Sequence, residues 1–235
     1  MRIEPIFVNF VIKKAIRLFC IIDEKELEKV PDSGPLIIIS NHINFIEVPL
    51  LYTHLLPRPV TGFAKAEGWK NPFGRYLANL WGAIPLHRGK PDVAAIRAAL
   101  NALEDKKIVG LAPEGTRSGD GKLQRGYQGV VTLALQSGAE LLPLVFYGNE
   151  TYLDDIKRLR RINFNIVIGN KFLIHNPDGK TDHNKRQKIT DEIMYQLAAL
   201  LPPYYRGYYS DLGNASENFL VFPDGEISNL KQTLS

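Results

Sequence analysis

The stretch Leu36-Ile37-Ile38-Ile39-Ser40-Asn41-His42-Ile43-Asn44-Phe45-Ile46-Glu47-Val48-Pro49-Leu50-Leu51 runs from an apolar tetrad through a polar turn into a proline-led segment. A short apolar run bounded by turn residues suits a strand buried on both faces. Pro49-Leu50-Leu51-Tyr52 reads as a helix start, because proline is pre-set for the first helical position. His42 and Glu47 therefore fall in the turn where a strand hands over to a helix. Five residues is the wrong spacing for one helical face, where partners lie three or four apart. A turn, however, lets the carboxylate fold back onto the imidazole. A carboxylate on one ring nitrogen leaves the other free to take a proton, the logic of a histidine general base. Two plainer roles stay open beside it. Asn44-x-x-Glu47 resembles a capping box, in which Glu47 bonds only a backbone amide. His42 could equally be a satisfied polar residue at a strand end. Pro49 argues against the early helix start that the box needs, since the residue before a proline disfavours helix.

Working outward, further strands are predicted at 60–64, 82–86, 107–112, 141–147 and 162–168, the last as a later, edge-type strand. Helices are predicted from 71 to 81, 91 to 103, 128 to 137 and 182 to 201, the third stopping at Gly138. Strands alternating with helices imply an α/β fold, a single domain with a mostly parallel sheet flanked by helices. Sites in such sheets gather beyond the carboxyl ends of the strands. His42, Arg88 and Glu114 each follow one such end. The chain divides into an N-terminal amphipathic helix in residues 1–25, a domain over 26–203 and a peripheral C-terminal tail over 204–235. The tail's Tyr204, Tyr205, Tyr208 and Tyr209 could sit at a membrane interface, where amphipathic rings are favoured, but are expected to pack on the domain.

Residues 5–22 place Lys13, Lys14 and Arg17 within one arc of about 100° on a helix. Phe7, Val8, Val11, Ile12, Ala15, Leu18, Phe19 and Ile22 cover the other side. Three central cations would oppose insertion across a bilayer by about 8–10 kcal/mol. The alternatives are a basic helix lying on an anionic membrane surface and a helix packed on the domain with a solvated basic edge.

The chain has 235 residues, 45% of them hydrophobic, and a formal net charge of +4. This is ordinary globular composition with room for a sizeable core. The positive balance fits an anionic partner without choosing among membrane, nucleic acid and phosphorylated substrate. Its sole cysteine, Cys20, excludes an intrachain disulfide and a cysteine-ligated zinc site. With no cleavage site after the N-terminal apolar stretch, a cytosol-facing protein is expected.

Two further stretches complete the pattern. One is Ala64-Lys65-Ala66-Glu67 through Asn71-Pro72-Phe73-Gly74 to Ile84-Pro85-Leu86-His87-Arg88. The other is Pro113-Glu114-Gly115-Thr116-Arg117-Ser118. With Asn41-His42-x-x-x-x-Glu47 and Leu142-Pro143-Leu144, they resemble in order and spacing the four motifs of the glycerolipid acyltransferases. Within these the pattern is most similar to the bacterial 1-acylglycerol-3-phosphate acyltransferases. The resemblance covers roughly residues 30–150. It implies an α/β enzyme, peripheral on the cytoplasmic side of the membrane, that moves a fatty acyl group from acyl carrier protein or coenzyme A to a lysophospholipid hydroxyl in phospholipid biosynthesis. His42 would be the base and Glu47 its partner, where the family usually has aspartate. Arg88 and Arg117 match phosphate-binding arginines, and Glu114 and Gly115 the motif that closes the acceptor site. Lys65 and Thr116 join them as candidate substrate-binding residues. The thioester is a co-substrate already activated, so no cofactor and no metal are expected.

A second departure is Gly126-Tyr127, where the family commonly has an aromatic–lysine pair; Arg125 is the nearest substitute cation. These departures keep open a catalytically silent lipid-binding protein of the same fold, and an acyltransferase for another lysolipid or a glycolipid. A serine hydrolase using His42 lacks a Gly-x-Ser-x-Gly elbow. No motif supports nucleic-acid binding.

Overall fold

The computed structural model describes residues 3–87, 89, 92–177, 179–223 and 225–232. The chain opens with α1 (Ile3–Phe19), β1 (Cys20–Ile22), β2 (Leu36–Ser40) and α2 (Glu47–His54). It continues through β3 (Val60–Lys65), α3 (Pro72–Leu80), β4 (Ile84–Leu86), α4 (Val93–Glu104), β5 (Ile108–Leu111), α5 (Gly129–Ser137) and β6 (Glu140–Tyr147). The remainder is α6 (Tyr152–Lys157), β7 (Ile162–Ile168), β8 (Leu173–Ile174), α7 (His183–Leu200), β9 (Leu220–Val221) and α8 (Asn229–Gln232).

Among the described residues the main sheet runs β1-β7-β6-β2-β5-β3-β4. The strands from β6 to β4 are parallel, with Leu36 beside Ile108 on one side and Glu140 on the other. β7 is antiparallel to β6, and β1 is parallel to β7. Leu36–Ile39 thus lies mid-sheet, with every residue buried. Its side chains alternate between two cores. Ile37 and Ile39 pack with α4, α5 and α7 residues such as Ala99, Val131 and Ile193. Leu36 and Ile38 pack with Ile16 of α1 and Leu50 of α2. Burying each such side chain contributes roughly 1.5–3 kcal/mol, so the tetrad anchors both layers. Parallel strands ending at one edge deliver their following turns to one mouth: β2 leads to His42, β5 to Glu114, β3 ends at Lys65, and β6 leads to Asn149.

Four expectations are corrected. The helix after the turn starts at Glu47, not Pro49. Pro49 then sits in the first helical turn, where its missing N–H has no intrahelical partner to lose. The N-terminal helix does not run to Ile22. It stops at Phe19, and Cys20–Ile22 adds a strand against β7, so β7 is interior rather than an edge. The apolar side of α1 is also divided. Ile16 is buried and Ile12 packs against the core, whereas Ile6, Phe7, Phe10, Val11, Leu18 and Phe19 are exposed. Finally, residues 204–232 do not form a peripheral tail. Tyr209, Leu220, Ser228 and Asn229 are buried, and β9 pairs with β8. Tyr205 and Tyr209 pack inward as expected, while Tyr204 and Tyr208 are exposed.

Candidate functional site

The turn between β2 and α2 is held from several sides. Asn41 brackets β6, donating to Phe146 O and accepting from Phe146 N, both at 2.8 Å. Asn44 Oδ1 accepts from Ile46 N, closing the turn that points Glu47 back. Glu47 is 2% exposed, and its carboxylate reaches His42 Nδ1 at 2.6 Å. The same carboxylate accepts from Ile43 N at 3.0 and 3.1 Å, Asn44 N at 3.0 Å and Asn149 Nδ2 at 2.9 Å. The backbone role and the histidine role are therefore not alternatives; one carboxylate does both. His42 keeps a side-chain exposure of 16%, which opens its ring to the mouth.

On the free edge of that ring, Arg117 Nε donates to His42 Nε2 at 3.4 Å. An acceptor at Nε2 and a carboxylate at Nδ1 assign the proton to Nδ1. The second loop is fastened to the first by Ser118 N donating to His42 O at 2.8 Å. Arg117 and Thr116 are exposed on this loop, and Lys65 is exposed at the end of β3. Arg88 lies outside the described residues. Its neighbour His87 is held to Asp92 through Nδ1 at 2.8 Å. β4, which leads to Arg88, is separated from β5 by β3.

Glu114 does not present its carboxylate to the mouth. It is 1% exposed, and accepts from His42 N at 3.1 Å and Gln124 N at 2.8 Å. It braces two loops and does not offer a free group to a ligand. Burial pushes its carboxyl up to about 7, against the pull of the two amides, and Glu47 and Asp120 add to the rise. Gly115 has φ of +66°, and a Cβ there would meet the Tyr127 ring at 3.1 Å. Glycine is required both for that backbone and for the ring's approach. Tyr127 itself is 69% exposed, and Arg125 is also exposed.

Sequence reasoning missed two contributors. Asn149 carries no motif and follows a strand like many other asparagines. The segment 204–209 also holds the site loop: Leu123 N donates to Tyr205 O, Tyr208 N donates to Leu123 O, and Gly126 N donates to the Tyr209 hydroxyl. That hydroxyl donates onward to Asp191 at 2.8 Å. Nothing in the spacing of these tyrosines announced such contacts.

A family model described as acyltransferase matches residues 21–147. The chain belongs to the acyltransferase family. The match runs from within β1 to the end of β6 and contains the His42, Lys65, Glu114 and Arg117 positions. Among curated relatives, a 1-acyl-sn-glycerol-3-phosphate acyltransferase of Bacillus subtilis (strain 168) is 32% identical over 123 residues, 52% of this chain and 60% of that one. A Limnanthes alba protein of the same name is 35% identical over 160 residues, 67% of this chain and 54% of the relative. The chain thus spans between about half and three-fifths of these relatives. A crystal structure of PlsC, the 1-acyl-sn-glycerophosphate acyltransferase of Thermotoga maritima, superposes with a TM-score of 0.57 at 22% identity, covering 80% of this chain and 77% of that one. That likeness shows the shared fold.

Proposed function

We propose that this acyltransferase moves a fatty acyl group from the thioester of acyl carrier protein or coenzyme A to the hydroxyl of a lysophospholipid, 1-acylglycerol 3-phosphate in particular. The observation that carries the reading is the His42 ring, gripped at Nδ1 by Glu47 and left as an acceptor at Nε2, where Arg117 Nε meets it only at 3.4 Å. In this mechanism His42 Nε2 takes the acceptor's hydroxyl proton as the oxygen attacks the thioester carbonyl. The tetrahedral intermediate collapses, the C–S bond breaks, and the imidazolium returns the proton to the departing thiolate. The products are an ester and a thiol. Glu47 stabilises the transient imidazolium, and a base so placed contributes ~10²–10⁴-fold in rate. Arg117, a fixed two-pronged cation, receives the acceptor phosphate, with Lys65 and Arg88 as further candidates. The names of the relatives support this acceptor class.

The same reading puts the enzyme on a bilayer, peripheral and on its cytoplasmic side. No helix among the described residues is long and apolar enough to cross a membrane. The exposed Ile6, Phe7, Phe10, Val11 and Leu18 beside Lys14 and Arg17 support surface attachment of α1. The deciding experiment is an acceptor panel with one acyl donor: lysophosphatidate, neutral and zwitterionic lysolipids, and glycerol 3-phosphate. Preference for lysophosphatidate is expected. Equal use of lysophosphatidylcholine would remove the phosphate-monoester assignment, and transfer to none of them would remove the enzyme reading.

A further inference from the structure

Asn149 is fully buried and lies two residues beyond β6, outside the motif residues. Gly148, with φ of +86°, turns the chain so that Asn149 faces the β2–α2 turn. The asparagine grips that turn at two points. Its Nδ2 donates to Glu47 Oε1 at 2.9 Å, and its backbone O accepts from Asn44 Nδ2 at 2.8 Å. Its own Oδ1 finds no partner among the described residues. A buried amide normally satisfies both ends. Here the carboxylate dictates the orientation, because the flipped amide would set oxygen against oxygen.

The distribution of donors on Glu47 gives this contact its consequence. Oε1 takes Asn44 N, Asn149 Nδ2 and a share of Ile43 N, whereas Oε2 takes His42 Nδ1 at 2.6 Å and the other share. The backbone donors come from the turn itself and would follow any tilt of the carboxylate. Asn149 comes from the turn after the neighbouring strand and, among the described residues, is the one side chain fixing Oε1 from outside. A glutamate has one more torsion than an aspartate, so an external hold on its far oxygen matters more.

We propose that Asn149 is a positioning residue: its amide fixes the Glu47 carboxylate so that Oε2 holds His42 at Nδ1 and Nε2 stays unprotonated, able to take the acceptor's proton. The proposal rests on the reading of His42 as a base, and its test includes a readout that does not need turnover.

Long-range proton–nitrogen spectra of the full chain, labelled with ¹⁵N-histidine and recorded at about pH 8.5 where imidazole is neutral, report the His42 tautomer; His42→Ala assigns the signals. Wild type should show the Nδ1–H form. Asn149→Ala should show a several-fold rise of the Nε2–H form. With thioester and lysophosphatidate, kcat should fall about tenfold while acceptor KM stays within about twofold, the pattern of a misplaced rather than missing group. Glu47→Asp withdraws the carboxylate from Asn149, so adding Asn149→Ala to it should cost less than about twofold. Asn149→Ser is the second variant, should alanine fail to fold, and carries the same expectations. A folded variant with an unchanged tautomer and unchanged kcat would make Asn149 merely structural and overturn the proposal. If wild type transfers nothing, the functional reading fails, and the tautomer comparison still decides the positioning role.

Discussion

Glu47 and Glu114 lie in the segments that follow adjacent parallel strands, both almost wholly buried, yet they are employed differently. Glu47 binds backbone amides, an asparagine and the His42 ring, which opens to the mouth. Among the described residues Glu114 binds backbone amides alone, one from each loop. Burial without a cation leaves Glu114 near neutrality's midpoint, a carboxyl raised to about 7. The lesson is that a motif glutamate's contacts, and not its burial, distinguish chemistry from support. Glu47 touches a group able to react; Glu114 holds the loops on which such groups stand.

The largest effect expected is from His42→Ala. On the proposed mechanism transfer should fall by roughly 10²–10⁴-fold, with the circular dichroism and melting temperature of a folded chain, because the proposed base is lost while the apolar core is untouched. Near-normal turnover in a folded variant would break the contrast at its centre. Glu47→Ala should follow, losing most activity and also stability by about 1–3 kcal/mol, since buried amide donors are left unpaired. Glu47→Asp should keep activity within about tenfold, because the carboxylate still reaches the turn. A stability loss without a rate loss in Glu47→Ala would put Glu47 in the same supporting class as Glu114.

Arg117→Lys keeps the charge and loses the fork, so acceptor KM should rise by about tenfold before donor KM moves. Steady-state kinetics on the two substrates separately check this. A readout that needs no turnover is a pH effect on stability from Glu114. Its carboxyl binds a proton more tightly folded than unfolded, so its stabilising contribution is full below pH 4.5, the group's ordinary value, and is lost as pH rises through about 7. The change is at most roughly 3 kcal/mol. Urea unfolding at intervals across that window should slope downward in wild type and flatten in Glu114→Gln.

Much of this was legible in the chain. The tetrad Leu36–Ile39 reads as a two-sided strand because no polar residue interrupts it, and the turn residues fix where His42 must fall. The fold-back of Glu47 was legible as a possibility only, since sequence spacing cannot separate a capping bond from a bond to His42. The strand Cys20–Ile22 was not legible. It continues the apolar run of α1 without a break, and its partner lies in residues 162–164. Long-range pairing of that kind leaves no local pattern. Asn149 was hidden for the same reason, acting on a residue 102 positions away. The tyrosines of 204–209 showed that they could pack, but not that their backbone would clasp Leu123.

The sharpest measurement sets the two glutamates side by side as amide isosteres, with kcat for acyl transfer at pH 7 and melting temperature recorded for Glu47→Gln and Glu114→Gln. Glu47→Gln should lower kcat by roughly 10² or more, as removal of the imidazole's charged partner does. Glu114→Gln should stay within about fivefold, the worth of one neutral hydrogen bond. Comparable losses in two folded variants, or a larger loss from Glu114→Gln, would contradict the assignment of chemistry to the β2–α2 turn.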